Sequence, residues 1–309
     1  MPTRILGRFP PTGARRIMLR SCQRRSRQRS HQASQALVAV RPPAVAGLFY
    51  PRDPVELGRE VEALLAASEA SGAQRSHGWV KAVIAPHAGY TYSGPVAGSA
   101  FAAFETTPGA VGRVVVIGPS HHVAFRGLAL PAARALAIPG ARMPVDAEAR
   151  EQLLALDAVC LDPRPHAREH ALEVELPFLA SRFGPVMVVP LVVGEASVAE
   201  VARALDVVWG GDETRIVVSS DLSHFLPYDI AQRRDETTAR TIEALDGPLR
   251  PDQACGARAI DGLLCLAARR GLVAQRLDLR NSGDTAGGRE RVVGYGAWAF
   301  CRPAEPGSA

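Results

Sequence analysis

The segment "VVVIGPSHHV", residues 114–123, begins as an apolar run and ends on two adjacent histidines, His121 and His122. Continuously apolar, β-branched runs are typical of strands that are buried on both faces of a sheet. Similar runs occur at 81–86, 186–194, 214–221 and 291–300. Helical patterns separate them, at 94–105, 145–156, 197–209, 235–246 and 259–271. We therefore predict an α/β fold: a single domain with a central, largely parallel or mixed β-sheet flanked by helices on both faces.

Composition divides the chain into an Arg-rich N-terminus and a mildly acidic body. Residues 1–52 hold eleven arginines and no Asp or Glu, whereas the whole chain carries a net charge of +5. The remaining residues therefore carry about −6, so nucleic acid is not expected as a partner of the folded domain. We predict a disordered extension over 1–40, a folded α/β domain over 41–303 and a tail over 304–309.

Three interpretations of the Arg-rich extension stay open. It could be a nucleic-acid-binding arm, a transit-type presequence, or upstream sequence included by a misplaced start codon, with Met18 as another start. No run approaches the ~20 apolar residues of a transmembrane helix, so no membrane association is expected. The five cysteines lack CxxC spacing, which together with the missing secretory signal favours a reducing, cytoplasmic location.

Histidines follow three of the predicted strands at the point where each strand ends. His87 follows the first strand, and His121 and His122 follow the second. Asp221 ends the run at 214–221, and His224 follows it. In an open α/β sheet, ligands bind in the crevice beyond the carboxyl ends of the strands. Neutral imidazole is a ligand for iron, copper, zinc and nickel. The sequence therefore predicts one shared polar site with a metal ion.

Two nearby patterns add carboxylates to this site. Asp221 and His224 would share a face if a helix began there, as a carboxylate-oriented general base, although Ser220 or Asp221 could instead cap that helix. In "REHALEVELPFL" (168–179), His170 and Glu173 have helical i, i+3 spacing. Glu173 could complete the two-His, one-carboxylate triad of a non-haem iron oxygenase, or the segment could be a solvated amphipathic face.

Eight ordered segments give the sequence a family resemblance. They are "AVAGLFYP", "IAPHAGYTYSGPVA", "VIGPSHH", "EHALEVELPF", "VVPLVVG", "VVSSDLSHF", "ACGARAI" and "NSGD". Together they resemble the Memo family, whose bacterial and archaeal members are called AmmeMemoRadiSam system protein B. The resemblance covers residues 41–302.

This resemblance implies a domain similar to the class III extradiol dioxygenases, in which two His and one Glu hold ferrous iron and another His is the acid/base. In the Memo family a Cys replaces the Glu. The implied metal ligands are therefore His87, His121 and Cys255. The implied acid/base residue is His224, with Asp221 beside it.

The resemblance also implies supporting residues and a choice of metal. His122 would line the pocket as a further catalytic candidate, with Glu173 and His170 beside the ligands, and Glu173 competes with Cys255 for the third position. The resemblance to ferrous enzymes favours Fe(II) as cofactor, while the thiolate, which is softer than carboxylate, keeps copper and zinc open. The chain departs from the family pattern at Ala259, where Pro is usual, and in its apolar "FLP" after the Ser-His pair.

Three functions remain open at this point. The first is an oxygenase-like redox enzyme acting on an unknown small molecule. The second is a non-catalytic metal- or peptide-binding partner of a radical-SAM system, and the third is a zinc hydrolase on the same ligands. No HExxH, P-loop, GxGxxG or GxSxG motif occurs in a supporting context, which removes zincin, NTPase, dinucleotide-binding and serine-hydrolase functions.

Overall fold

The computed structural model describes residues 38–70, 79–104 and 111–303. The predicted tail, 304–309, and all but the last three residues of the predicted extension, 1–40, therefore lie outside the described residues. Within the described ranges, no helix is both long enough and apolar enough to cross a membrane.

The described residues form eleven strands and eight helices that largely alternate along the chain. The strands are β1 (Val80–Ala85), β2 (Arg113–Pro119), β3 (Leu128–Leu130), β4 (Ala135–Ile138), β5 (Ala141–Pro144), β6 (Val159–Leu161), β7 (Met187–Val193), β8 (Thr214–Ser219), β9 (His224–Leu226), β10 (Val273–Asn281) and β11 (Val292–Cys301). The helices are α1 (Pro54–Ala70), α2 (Tyr90–Ala102), α3 (Ala147–Leu154), α4 (Arg164–Ala167), α5 (Leu176–Phe183), α6 (Val198–Val207), α7 (Tyr228–Glu243) and α8 (Ala257–Arg269).

Nine of these strands form one mixed sheet, which confirms the predicted α/β architecture. The strand order is β10-β11-β1-β8-β2-β7-β3-β6, and β9 pairs with β11. The central strands β1, β8, β2 and β7 run parallel, whereas β10, β11 and β9 add antiparallel pairs on one side. Beyond β7, β3 pairs antiparallel and β6 pairs parallel to β3.

The central strands are buried on both faces because helices cover each side. Every residue of β1 and β8 is buried. Alternate residues such as Val83, Val114 and Val217 belong to one apolar cluster with side chains of α1, α2 and α5. The intervening residues, among them Ile84 and Ile117, are equally buried, and α8 packs on β2 and β8 with α6 against it. This two-sided burial explains the continuous Val/Ile runs of the sequence.

Candidate metal centre

The sheet topology brings the carboxyl ends of three neighbouring parallel strands together. His87 lies two residues after β1, His121 two residues after β2, and Asp221 two residues after β8. Since β8 lies between β1 and β2, these side chains start from adjacent positions at one edge of the sheet. This is the edge at which ligands bind in open α/β folds.

Three histidines converge at this edge. His87, His121 and His170 each offer a ligand atom, and these atoms all lie within 4.8 Å of one another, so the three could hold a metal ion. The rings of His121 and His170 stack at 4.6 Å between centroids, and that of His87 meets both edge-on at 5.2 and 5.4 Å. The structure thus brings together two of the predicted ligands and one predicted supporting residue.

His87 is held from both sides by the end of β8. Its backbone N–H donates to Asp221 Oδ1 at 2.8 Å, and its Nδ1 lies 2.7 Å from Ser219 Oγ. Burial, followed by repulsion from His121, lowers the pKa of His87 from 6.5 to about 3. The ring is therefore neutral at ordinary pH, which is the form that binds metals. With Nδ1 engaged, Nε2 is the nitrogen left to face an ion.

Glu169 fixes His121. Its Oε1 lies 2.8 Å from His121 Nδ1, and its Oε2 accepts the backbone N–H of His121 at 2.7 Å. Burial disfavours a charged His121, but the hydrogen bond and the charge of Glu169 outweigh it and raise the His121 pKa. Burial also acts against ionised Glu169, yet the His121 contact keeps the Glu169 pKa at about 2. A carboxylate on Nδ1 that leaves Nε2 to the metal is a frequent arrangement in metalloproteins.

His170 completes the cluster from a turn between α4 and α5. Its Nδ1 lies 3.5 Å from Glu169 Oε1, and its ring packs against Phe49 at 4.7 Å. Burial and the nearby His87 lower the His170 pKa to about 4. Two of the three imidazoles are therefore held neutral by burial, while the third has a carboxylate partner.

Cys255 lies directly beside the cluster. Its Sγ is 3.3 Å from His87 Nε2 and accepts the backbone N–H of Asp221 at 3.3 Å. Burial and the charge of Asp221 raise the Cys255 pKa to about 12, so the free thiol keeps its proton. A bound cation would favour the thiolate. The predicted ligand is thus within reach of the site, on the His87 side.

Gly256 allows the Cys255 segment to approach β8 closely. A Cβ on this residue would lie 2.7 Å from Ser220 Cβ and 2.8 Å from the carbonyl oxygen of Ser219. Its N–H donates to Ser220 Oγ at 2.9 Å, while Cys255 N–H donates to Asp221 O at 3.2 Å. The glycine of the "CG" pair therefore has a packing reason, because any side chain would push the thiol away.

The predicted catalytic residues surround the cluster at different depths. Asp221 is buried, and burial raises its pKa although the His87 N–H opposes the shift. No helix begins at Asp221; His224 instead opens β9 and is exposed. Within the described ranges no hydrogen bond joins Asp221 to His224. His122 is exposed, with its ring 6.2 Å from that of His170.

Glu173 faces a different part of the molecule from His170. Its carboxylate contacts Arg41 Nη1 at 2.6 Å and Tyr50 Oη at 2.6 Å, and it accepts the backbone N–H groups of Ala44 and Val45. The predicted shared helical face is absent, because residues 171–175 form turns and α5 begins only at Leu176. Glu173 therefore anchors the N-terminal segment of the described chain.

Two residues of the site had no predicted role, although Glu169 belongs to the acidic segment at 168–179. Glu169 contacts two of the three histidines, and Ser219 links His87 to Glu175 through hydrogen bonds of 2.7 and 2.8 Å. Burial raises the pKa of Glu175 well above its ordinary range, which favours the protonated carboxyl. The adjacency of Glu169 to His170 is the only sequence signal that could have indicated its role.

The mixed sheet and the nitrogen cluster at its carboxyl edge define an α/β protein with a candidate metal centre. The family model described as "Memo-like protein" matches residues 41–299. A "MEMO1 family protein" of Aquifex aeolicus is 33% identical over 271 residues, covering 83% of this chain and 97% of that protein. One from Methanothermobacter thermautotrophicus is 33% identical over 275 residues, 83% and 98% of the two chains. The chain belongs to the Memo family.

Proposed function

We propose that this Memo-family chain is a metal-dependent redox enzyme that acts on a small molecule with oxygen as co-substrate. His87, His121 and His170 would hold the ion, with Cys255 as a further or alternative donor. The convergence of three imidazole donors within 4.8 Å carries the proposal.

The donor set fits a transition metal. Imidazole is a borderline ligand that suits iron, copper and zinc, and an added thiolate shifts the preference toward softer ions. Fe(II) is the proposed ion because the family resembles ferrous dioxygenases, and when bound with open positions it would supply oxygen activation. The exposed His121 side of the cluster gives an ion access from solvent.

The chain's own residues would orient the ligands and move protons. Glu169 accepts a hydrogen bond from Nδ1 of His121, and Ser219 is hydrogen-bonded to Nδ1 of His87. Both rings would therefore present Nε2 to the ion. His224 is the proposed acid/base, since it is exposed at the rim and can exchange protons with substrate. Asp221 would position the loop through its bond to the His87 N–H.

A second candidate function is favoured by His170 itself. If Cys255 is not a ligand, the donor set is three imidazoles, which is the set that catalytic zinc uses with an open fourth position. The chain would then be a hydrolase with His224 as base. Metal identity separates the two functions.

The deciding experiment is elemental analysis of the protein, first as purified without added metal and again after anaerobic loading with Fe(II). We expect one ion per chain in the wild type and in Cys265→Ser, a matched thiol change within α8. Cys255→Ser and His170→Gln then show which side chain is the third ligand, with exposed His122→Gln as control. Equal metal content in the wild type and in His87→Ala would contradict the proposal.

Turnover is tested on the loaded protein. We expect oxygen consumption with a member of a phenol and catechol panel, lost in His224→Gln while the metal content is kept. Iron-loaded protein that consumes no oxygen, together with zinc-loaded protein that hydrolyses ester substrates, would favour the hydrolase.

A further inference from the structure

The opposite end of the sheet carries a second cluster of nitrogen groups, which we name the amino-edge cluster. It consists of Lys81, Arg215, Arg270 and Arg302 with the indole rings of Trp79 and Trp209. Lys81 is the second residue of strand β1 and the only lysine among the 309 residues. A cavity of about 340 Å³ opens between Trp79, Lys81, Trp209, Arg270 and Arg302.

We propose that this cavity is a binding site for a small oxyanion of the phosphate type, held by Lys81, Arg270 and Arg302. None of these residues belongs to the candidate metal centre, and the proposal does not depend on the proposed function.

The buried ammonium of Lys81 has hydrogen-bond acceptors for two of its three hydrogens in the described part of the chain. The side chain is 1% exposed, and Nζ donates to the carbonyl oxygens of Gly211 and Thr214, each at 2.8 Å. Its third hydrogen has no hydrogen-bond partner among residues 38–70, 79–104 and 111–303. Two indole rings lie at 5.3 and 5.5 Å from Nζ and stabilise the charge from their faces. An anion in the adjoining cavity could accept the remaining hydrogen.

The guanidinium groups are held in place by the same rings. Arg302 lies 4.6 Å from the Trp79 ring centroid, and Arg270 lies 4.5 Å from that of Trp209. Stacking occupies the face of a guanidinium and leaves its edge N–H groups for hydrogen bonds. The side chains of Arg270 and Arg302 are 40% and 61% exposed, so the cavity runs from solvent to the buried Lys81.

The carboxylates near the cluster pair with its arginines. Asp206 pairs with Arg270 at 2.6 Å, and Asp212 pairs with Arg302 at 3.1 Å. Among the described residues, Lys81 donates to carbonyl oxygens and not to a carboxylate. The two pairs are solvent-exposed, and exposed pairs are weak enough for a phosphate to compete. Arginine and lysine are the usual ligands of phosphate oxygens.

The test is titration of the full chain with inorganic phosphate at low ionic strength, followed by tryptophan fluorescence and calorimetry. Two of the three tryptophans border the cavity, so binding should give a saturable fluorescence change. The double variant Arg270→Gln/Arg302→Gln should weaken phosphate at least about tenfold, because two charge-assisted contacts are lost. The control double variant Arg164→Gln/Arg240→Gln removes two exposed, ion-paired arginines elsewhere and should bind like the wild type.

Lys81→Met should abolish the signal, and if this variant fails to fold, the arginine variants carry the test. Absence of a saturable change up to ~10 mM phosphate, equivalent to negligible affinity, would overturn the proposal. Equal weakening in both double variants would overturn it too, since general charge would then explain the effect. Metal content of the Arg270→Gln/Arg302→Gln protein should be unchanged, which separates this site from the metal centre.

Discussion

The two ends of the central sheet both gather nitrogen side chains, but they suit ligands of opposite charge. At the carboxyl end, the rings of His87, His121 and His170 can give up their protons, so a cation can take their place. At the other end, Arg270 and Arg302 cannot lose theirs at any ordinary pH. Burial lowers the pKa of His87 and of Lys81 alike. The two ends differ in whether the side chains around the buried nitrogen can lose their protons.

The largest effect is expected from removing a buried imidazole at the carboxyl end. His87→Ala, and likewise the more exposed His121→Ala, should weaken metal binding by at least about 100-fold, more than the loss of a residue that merely orients a ligand. Competition with a fluorescent chelator measures the affinity. His122→Ala is the matched control and should bind like the wild type. A wild-type metal affinity in both His87→Ala and His121→Ala would contradict a cation site at this end of the sheet.

The next effect concerns the charge of Lys81, which can be measured directly because Lys81 is the chain's one lysine. In protein labelled with ¹³Cε-lysine, its one resonance should titrate with a midpoint near pH 8, because burial and then Arg215 lower the Lys81 pKa from 10.5. The ammonium is present below the midpoint and the amine above it. Arg270→Gln should move the midpoint upward, and so should phosphate. A midpoint near 10.5 would mean that burial lowers the pKa of the buried nitrogen at the carboxyl end but not at the amino end.

Two carboxylates of one segment are expected to have different roles: Glu169 serves the metal site, and Glu173 stabilises the fold. Glu169→Gln should weaken metal binding about 10–100-fold, since it removes the charge that orients His121. Glu173→Gln should leave the affinity unchanged but lower the free energy of unfolding by about 3 kcal/mol, because it leaves buried Arg41 without its partner. Chelator competition and urea unfolding read the two effects. Equal losses of metal affinity would show that Glu173 also serves the site.

The smallest effect is expected at Asp235 of α7, whose Oδ1 accepts the Ser223 N–H at 3.1 Å beneath the Asp221–His224 loop. Burial raises the Asp235 pKa from 3.8 to about 6. The folded form therefore binds this proton more tightly, and that stability is present below pH 4 and lost as the pH rises through 6. Above pH 7, Asp235→Asn should be more stable than the wild type by about 1–2 kcal/mol.

Urea unfolding at pH 4 and pH 7.5 measures this difference, which should vanish at the lower pH. The exposed Asp229→Asn on the same helix is the control and should show no such pH dependence. A pH-independent gain in Asp235→Asn would point to packing instead of burial of charge.

The sequence predicted the sheet well wherever a strand is buried on both faces. The run at 113–119 coincides with β2, and the other apolar runs match β1, β7, β8 and β11 to within two residues. It did not predict β10, because this strand is rich in polar side chains whose contacts are tertiary. Arg276 of β10, for example, pairs with Glu236 of α7 at 2.7 Å.

The same rule explains which site residues were foreseen. His87 and His121 follow strands that can be recognised from local sequence, so their meeting follows from the topology. His170 follows a four-residue helix and a turn, and its position depends on how the 164–176 segment packs. Helical spacing therefore gave the wrong partner for His170, since its neighbour in space is Glu169 and the turns direct Glu173 to Arg41. The metal role of Cys255 and the catalytic roles of His224, Asp221 and His122 stay predictions.

The backbone contacts between the Cys255–Gly256 segment and the end of β8 have a consequence for reversibility. Main-chain hydrogen bonds and close packing hold the Cys255 thiol beside the cluster, so we expect it to keep this position without the ion. Small zinc domains, by contrast, unfold when their ion is removed. A strong chelator should strip this protein while its circular dichroism spectrum stays unchanged, and returning the metal should restore the loaded form without a refolding step.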